Sequence, residues 1–242
     1  MKQPLECLSR MKYPGRTLAV GRDLSGMFNV VIYAITGRSS SSQARRLELE
    51  ADTIWTKPTD PEVLQKGNVD LLIYPAVILS EGLAVSNGKQ TLGIDVRSGH
   101  SPVRVLEEAM KNWAYEPDAP NFTPRISGCI LPSNRAGLSV LKRAWSGDSL
   151  RFFYEIPLTP GKGKLLTTYS GENTDPLQSV SGDPVDLDLK EPTVRAMAEA
   201  VYAALRPPAG AEDFRVAAAC VFAKASDMKA RQVFIINRRE RT

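Results

Sequence analysis

The chain has 242 residues, 43% of them hydrophobic and 24% charged, which is the balance of a soluble globular protein long enough to bury a sizeable core. Lysine and arginine number 31 against 27 aspartates and glutamates, a formal charge of +4 that suits a small anionic ligand and is too dilute for a protein tracking a phosphate backbone. No apolar run reaches the ~18 residues of a membrane span and the first dozen residues have no apolar centre of a secretory signal, so the expected location is the cytoplasm, with neither membrane nor nucleic acid as a partner.

Residues 1–12 carry no motif and read as an extension ahead of a single domain over 13–242. From Thr17 to Ile35 two β-rich runs flank a Gly-Arg-Asp-Leu-Ser-Gly connection, which predicts a hairpin. In its second run Phe28, Val30, Ile32 and Ala34 share one face and Val31, Tyr33 and Ile35 the other, the pattern of a strand covered on both sides. Then comes GRSSSSQARR at 37–46, where arginines among small hydroxyl residues could cradle an oxyanion or simply form a solvated loop. Asp60-Pro61 opens a short helix ending at Gly67, and 70–79 reads as a strand containing Tyr74. After a strand at 83–86, Asn87-Gly88 predicts a hairpin turn.

Ser101-Pro102 starts a helix whose Val103, Leu106, Met110 and Trp113 recur at helical spacing. It leads into AYEPDAPNFTPRIS, whose Pro117, Pro120 and Pro124 forbid a helix and make a stiff strap. With Tyr115, Glu116, Asp118 and Arg125, that strap reads either as a structural clamp, Asp118 capping a turn and Arg125 pairing internally, or as an active-site wall. Further strands are expected at 126–131, 150–156, 164–169, 216–223 and 232–236, the Ala-rich 216–223 reading equally as a buried helix turn, with a second helix from Pro192 through Val194, Met197, Ala198, Val201 and Leu205. Many short strands, two substantial helices and no regular βαβ alternation indicate an α+β protein with helices over stacked, mainly antiparallel sheets. The basic tail NRRERT reads as a solvated terminus.

Three scattered cysteines (7, 129, 220) and one histidine, His100, supply no disulfide framework, no metal cluster and no His-based nucleophile relay, so proton chemistry falls to Glu, Asp, Tyr or Lys with no cofactor or metal expected.

YPGR (13–16), GRS (37–39) followed by Arg45, SNGKQT (86–91), YEPDAPNFTPRI (115–126) and FFYEIPLTPGKG leading to TTY (152–169) together resemble the archaeal-type IMP cyclohydrolase family, in the same order, from Tyr13 to about Pro184. The resemblance implies a four-layer αββα sandwich like that of the N-terminal nucleophile hydrolases. It also implies closure of 5-formamidoimidazole-4-carboxamide ribonucleotide to IMP with loss of water, the last step of de novo purine synthesis. Its catalytic residues fall on Arg45, Tyr74 and Glu116, and its substrate-binding positions on Arg16, Arg38, Ser39, Arg46, Asn87, Tyr115 and Arg125. Gln43-Ala44 replaces the family's usual Arg-Asn, and Arg46 directly follows Arg45, so the two arginines compete for one role. A purine-ribonucleotide sensor without catalysis, or an amidohydrolase processed to expose Cys7, are the alternatives, and a homo-oligomer is compatible with all three.

Overall fold

The computed structural model describes residues 5–240; the first four residues of the expected extension and the last two of the basic tail lie outside them. In chain order the elements are α1 (Glu6–Ser9), β1 (Arg16–Arg22), β2 (Phe28–Thr36), α2 (Ser40–Gln43), β3 (Arg45–Glu50), β4 (Thr53–Pro58), α3 (Pro61–Leu64) and α4 (Val69–Leu72). Then follow β5 (Pro75–Leu79), β6 (Leu83–Ser86), a 3₁₀ turn at Lys89–Gly93, α5 (Pro102–Met110), β7 (Arg125–Ile130), β8 (Ala136–Arg143) and β9 (Ser149–Ile156). The chain closes with β10 (Lys162–Thr167), β11 (Val185–Asp188), α6 (Val194–Ala204), β12 (Arg215–Lys224), β13 (Asp227–Asn237) and a second 3₁₀ turn at Arg238–Glu240.

Two sheets result, one ordered β11-β10-β1-β2-β12-β13 and the other β3-β4-β5-β6-β7-β8-β9, and every ladder between named strands is antiparallel. The two-faced apolar pattern of β2 does what it predicts. Val31, Tyr33 and Ile35 enter the core between the sheets with Leu47, Ile54, Tyr74, Val77 and Ile126, while Val30, Ile32 and Ala34 face a second core under α6. On the outer face of the seven-stranded sheet, α5 buries Pro102, Val105, Leu106 and Met110 against Ala84, Cys129 and Leu141. The architecture is an α+β sandwich of two antiparallel sheets with a helix on each outer face. Among the described residues no helix is long and apolar enough to cross a membrane.

Several local expectations are corrected. The segment 70–79 is not one strand: Asn68 accepts from the Asp70 amide to cap α4, and β5 starts only at Pro75, so Tyr74 stands at the entrance of a strand. Asn87-Gly88 is not a hairpin turn, because the Asn87 side chain is bonded to distant backbone and the 3₁₀ turn follows. In α5, Leu106 and Met110 are buried and Trp113 packs against the same cluster as expected, but Val103 is only half-buried and Pro102 and Val105 are buried as well. The hairpin β3–β4 and the strands β8 and β11 were not expected at all. The tail arginines Arg238 and Arg239 are exposed, as expected of a solvated terminus, and also donate to the Asp213 carbonyl and to Thr59 Oγ1 (3.2 Å) respectively. Before Tyr13, α1 puts Leu5 and Leu8 into the core under α6.

Candidate active site

Antiparallel ladders bring alternate strand starts and ends to the same edge of a sheet. At one end of this sandwich lie the start of β1 with Arg16, the last part of β2 with Tyr33 and the end of β10 with Thr168 and Tyr169. From the other sheet come the start of β3 with Arg45, the entrance of β5 with Tyr74, the exit of β6 with Asn87 and the strap entering β7 with Glu116 and Arg125. The opposite end is a plain clamp: Arg22 and Asn29 both donate to Asn134 Oδ1 (2.9 and 2.8 Å), and Asn134 donates to the Ala225 carbonyl.

Glu116 is 1% exposed, and its carboxylate accepts from Arg16 at 2.9 and 3.1 Å and from Asn87 Nδ2 at 3.0 Å. Burial pushes its carboxyl above the ordinary range, against the opposing pull of the Arg16 and Arg125 guanidiniums. Burial works against the Arg16 charge too, but the Glu116 carboxylate together with Tyr74, Tyr169 and Tyr33 outweighs it and holds that guanidinium well above its usual value. Asn87 spends its whole amide on this wall, donating to Glu116 and the Pro124 carbonyl and accepting from Ile126 N (2.8 Å) and Gln90 Nε2 (3.1 Å). Gly88 is needed beside it because a Cβ there would meet Gln90 Oε1 at 2.4 Å and Arg125 at 2.7 Å.

Arg45 is 1% exposed and donates from Nε to the Ser42 carbonyl at 2.9 Å, but both terminal nitrogens are buried with no hydrogen-bond partner among the described residues. Burial lowers its affinity for its proton, and its electrostatic neighbours are Tyr74, Arg16, Tyr33 and Tyr13. The strand β3 alternates, so Arg46 turns the other way, half-buried, and pairs with Glu48 at 2.6 Å. Tyr74 is fully buried, and its hydroxyl lies 2.7 Å from that of Tyr33, a residue read from the sequence only as part of an apolar face. Its one signal was chemical: a phenol on an otherwise aliphatic stripe needs a partner.

The other expected residues lie around this cluster. Arg38 lies over the Tyr13 ring (5.4 Å) and donates to Asn173 Oδ1 and the Thr174 carbonyl, while Ser39 caps α2 by accepting from Ser42 N. Arg125 is stacked on Trp113 (4.7 Å) and donates to the Ala114 carbonyl and Gln90 Oε1. Tyr115 points away from Glu116, donating to the Gly147 carbonyl at 2.7 Å. The strap makes the internal contacts of a clamp: Asp118 accepts from Thr123 N and bonds the Thr123 hydroxyl, which in turn bonds Tyr169 (2.5 Å), while Glu116 faces inward toward Arg16 and Asn87. A cleft of about 480 Å³ beside α5, lined by Arg104, Glu107, Glu108, Lys111, Arg151 and Phe153, contains none of the clustered residues.

Residues 13–227 match the model of a family described as IMP cyclohydrolase-like protein. The chain belongs to this IMP cyclohydrolase-like family. No curated protein matches it. Within the family match, Gly15 of the YPGR motif has φ +74°, and a Cβ there would meet Thr168 Oγ1 at 2.1 Å, so the glycine lets the TTY segment close against Arg16. The Gln43-Ala44 departure has a local reason: Gln43 donates to the Gly37 carbonyl at 3.1 Å and Ala44 is fully buried, so both shape the turn before Arg45. Cys7, by contrast, sits in α1 against the core under α6, on the far side of the first sheet, and burial pushes its thiol up.

Proposed function

We propose that the chain closes 5-formamidoimidazole-4-carboxamide ribonucleotide to IMP with release of water. The observation that carries this reading is the Arg45 guanidinium, buried beside Tyr74 with two unpaired nitrogens in a cluster that also holds a buried carboxylate. An orphaned buried guanidinium is expensive unless a ligand supplies the missing acceptor, and a developing oxyanion does.

In the reaction the carboxamide nitrogen attacks the formyl carbon, and holding both groups of one molecule in near-attack geometry supplies much of the acceleration. Glu116 takes the N–H proton as the N–C bond forms, Arg45 bears the charge developing on the formyl oxygen, and Tyr74 gives that oxygen a proton. Glu116 then returns its proton to the departing hydroxyl, which leaves as water, while the proton shed by the former formamide nitrogen restores Tyr74. A carboxyl held above its ordinary range is suited to both halves of this cycle. Arg16 and Asn87 keep Glu116 aimed, and Arg38 and the more deeply set Arg125 are the cations for the 5′-phosphate. The likeness to the N-terminal nucleophile hydrolase sandwich belongs to this reading and is supported by the two face-to-face sheets with outer helices. Purified protein incubated with the formamido ribonucleotide is expected to form IMP, followed by ultraviolet absorbance; folded protein that binds the nucleotide without turning it over would replace this reading with that of a sensor.

A further inference from the structure

Tyr33 and Tyr74 reach each other from opposite sheets, and this pair has a proton count that constrains its use. Both residues are 0% exposed, and among the described residues each hydroxyl has the other as its hydrogen-bond partner, at 2.7 Å. Two phenols carry two protons, and one hydrogen bond uses one of them. The second O–H is left for something else, since a buried donor without an acceptor is costly. Tyr33 projects from the inner face of β2 in its second half, opposite Leu18 on β1 and Ala219 on β12, packed in the core between the sheets and only a weaker electrostatic neighbour of Arg16 and Arg45. Tyr74 stands at the mouth of β5 and is the stronger electrostatic neighbour of both Arg16 and Arg45. Tyr74 is therefore the phenol that can meet a ligand, and Tyr33 lies behind it.

We infer that Tyr33 is a positioning residue: its hydroxyl donates to the Tyr74 oxygen, fixing the Tyr74 rotor so that the Tyr74 proton is the one presented to the reacting oxygen. This rests on the cyclisation reading for its kinetic consequence but not for its geometry, and the two are tested separately. Without Tyr33 the Tyr74 hydroxyl rotates freely and loses part of its aim.

With tyrosine labelled at ¹³Cζ and spectra recorded in mixed H₂O and D₂O, a slowly exchanging hydroxyl splits its carbon line. The Tyr33 line is expected to split and the Tyr74 line to remain single; a split confined to Tyr74 overturns the assignment. Kinetically, Tyr33→Phe should lower kcat about 10-fold with KM nearly unchanged, Tyr74→Phe should cost about 100-fold, and the double variant should match Tyr74→Phe alone. Normal kcat in Tyr33→Phe, or additive losses in the double variant, would refute the role. Should wild-type protein form no IMP, the cyclisation reading fails and the carbon spectra alone support or overturn the Tyr33 donor.

Discussion

Among the described residues Arg45 is a buried charge whose two terminal nitrogens have no hydrogen-bond partner, so its removal should relieve the folded state while harming the proposed reaction. Arg45→Met is expected to lower kcat by about 10² to 10³, the usual worth of one oxyanion donor, with Tm held or raised. A Tm drop of more than about 4 °C would mark the residue as structural instead. Glu116→Gln behaves differently because it leaves Arg16 buried beside a neutral amide. It should lower kcat/KM by about 10² to 10⁴ and also cost about 3–5 kcal/mol of stability. Stability loss therefore does not separate clamp from catalyst at this position, but pH does. Glu116 must be deprotonated to act as base, and burial raises its pKa, so activity should rise with pH through an inflection above 4.5. Glu116→Gln should abolish that acid limb; an unchanged limb in the residual activity would assign the titration to another group. The choice between Arg45 and Arg46 was open because no strand was expected at 45–50; once β3 is a strand, Leu47 and Leu49 mark the Arg45 face as the apolar one, and Glu48 and Glu50 put Arg46 on the other.

At the scale of elements, the strap was legible as stiff and non-helical because its prolines act locally, whereas its inward and outward residues were not. The backbone of Glu116 is fixed by its own N–H donating to the Thr123 carbonyl at 2.8 Å, beside the Asp118–Thr123 contacts, while Arg16 and Asn87 hold its carboxylate inward. Asp118→Ala removes both contacts to Thr123 and is expected to cost about 1–3 kcal/mol and to lower kcat more than it raises KM. Thermal melts and steady-state kinetics read both, and a loss of stability with full kcat would show that Glu116 needs no such support. The hairpin β3–β4 carries the alternation of Leu47 and Leu49 with Glu48 and Glu50, but Arg45, Arg46, Glu50 and Lys57 give the stretch the charge of a solvated loop. The segment 70–79 misled for the opposite reason, since its apolar content suited a strand while Asn68 capped a helical turn. In both, a few polar side chains outweighed the hydrophobic pattern.

On the scale of the whole molecule, the stacking of two sheets was legible in the two-faced β2, but how their edges meet depends on partners far apart in sequence. The edge strands β3 and β13 belong to different sheets, and Asn237 joins them by accepting from Leu47 N at 2.8 Å and donating to the Leu47 carbonyl at 2.9 Å. One side-chain amide thus imitates a strand partner two residues from Arg45. Asn237→Ala is expected to lower Tm, by about 2–4 °C for each kcal/mol lost, and to depress kcat by letting Arg45 drift; unchanged kcat with lowered Tm would confine its role to stability. The same amide also governs timing. Arg16, Arg45, Tyr74 and Glu116 are all synthesised within the first half of the chain, but the group that anchors β3 leaves the ribosome 190 residues after Leu47. A chain synthesised only as far as Glu116 therefore carries every proposed catalytic side chain while the amide that holds the β3 edge is still missing, so that edge closes only once synthesis has passed Asn237.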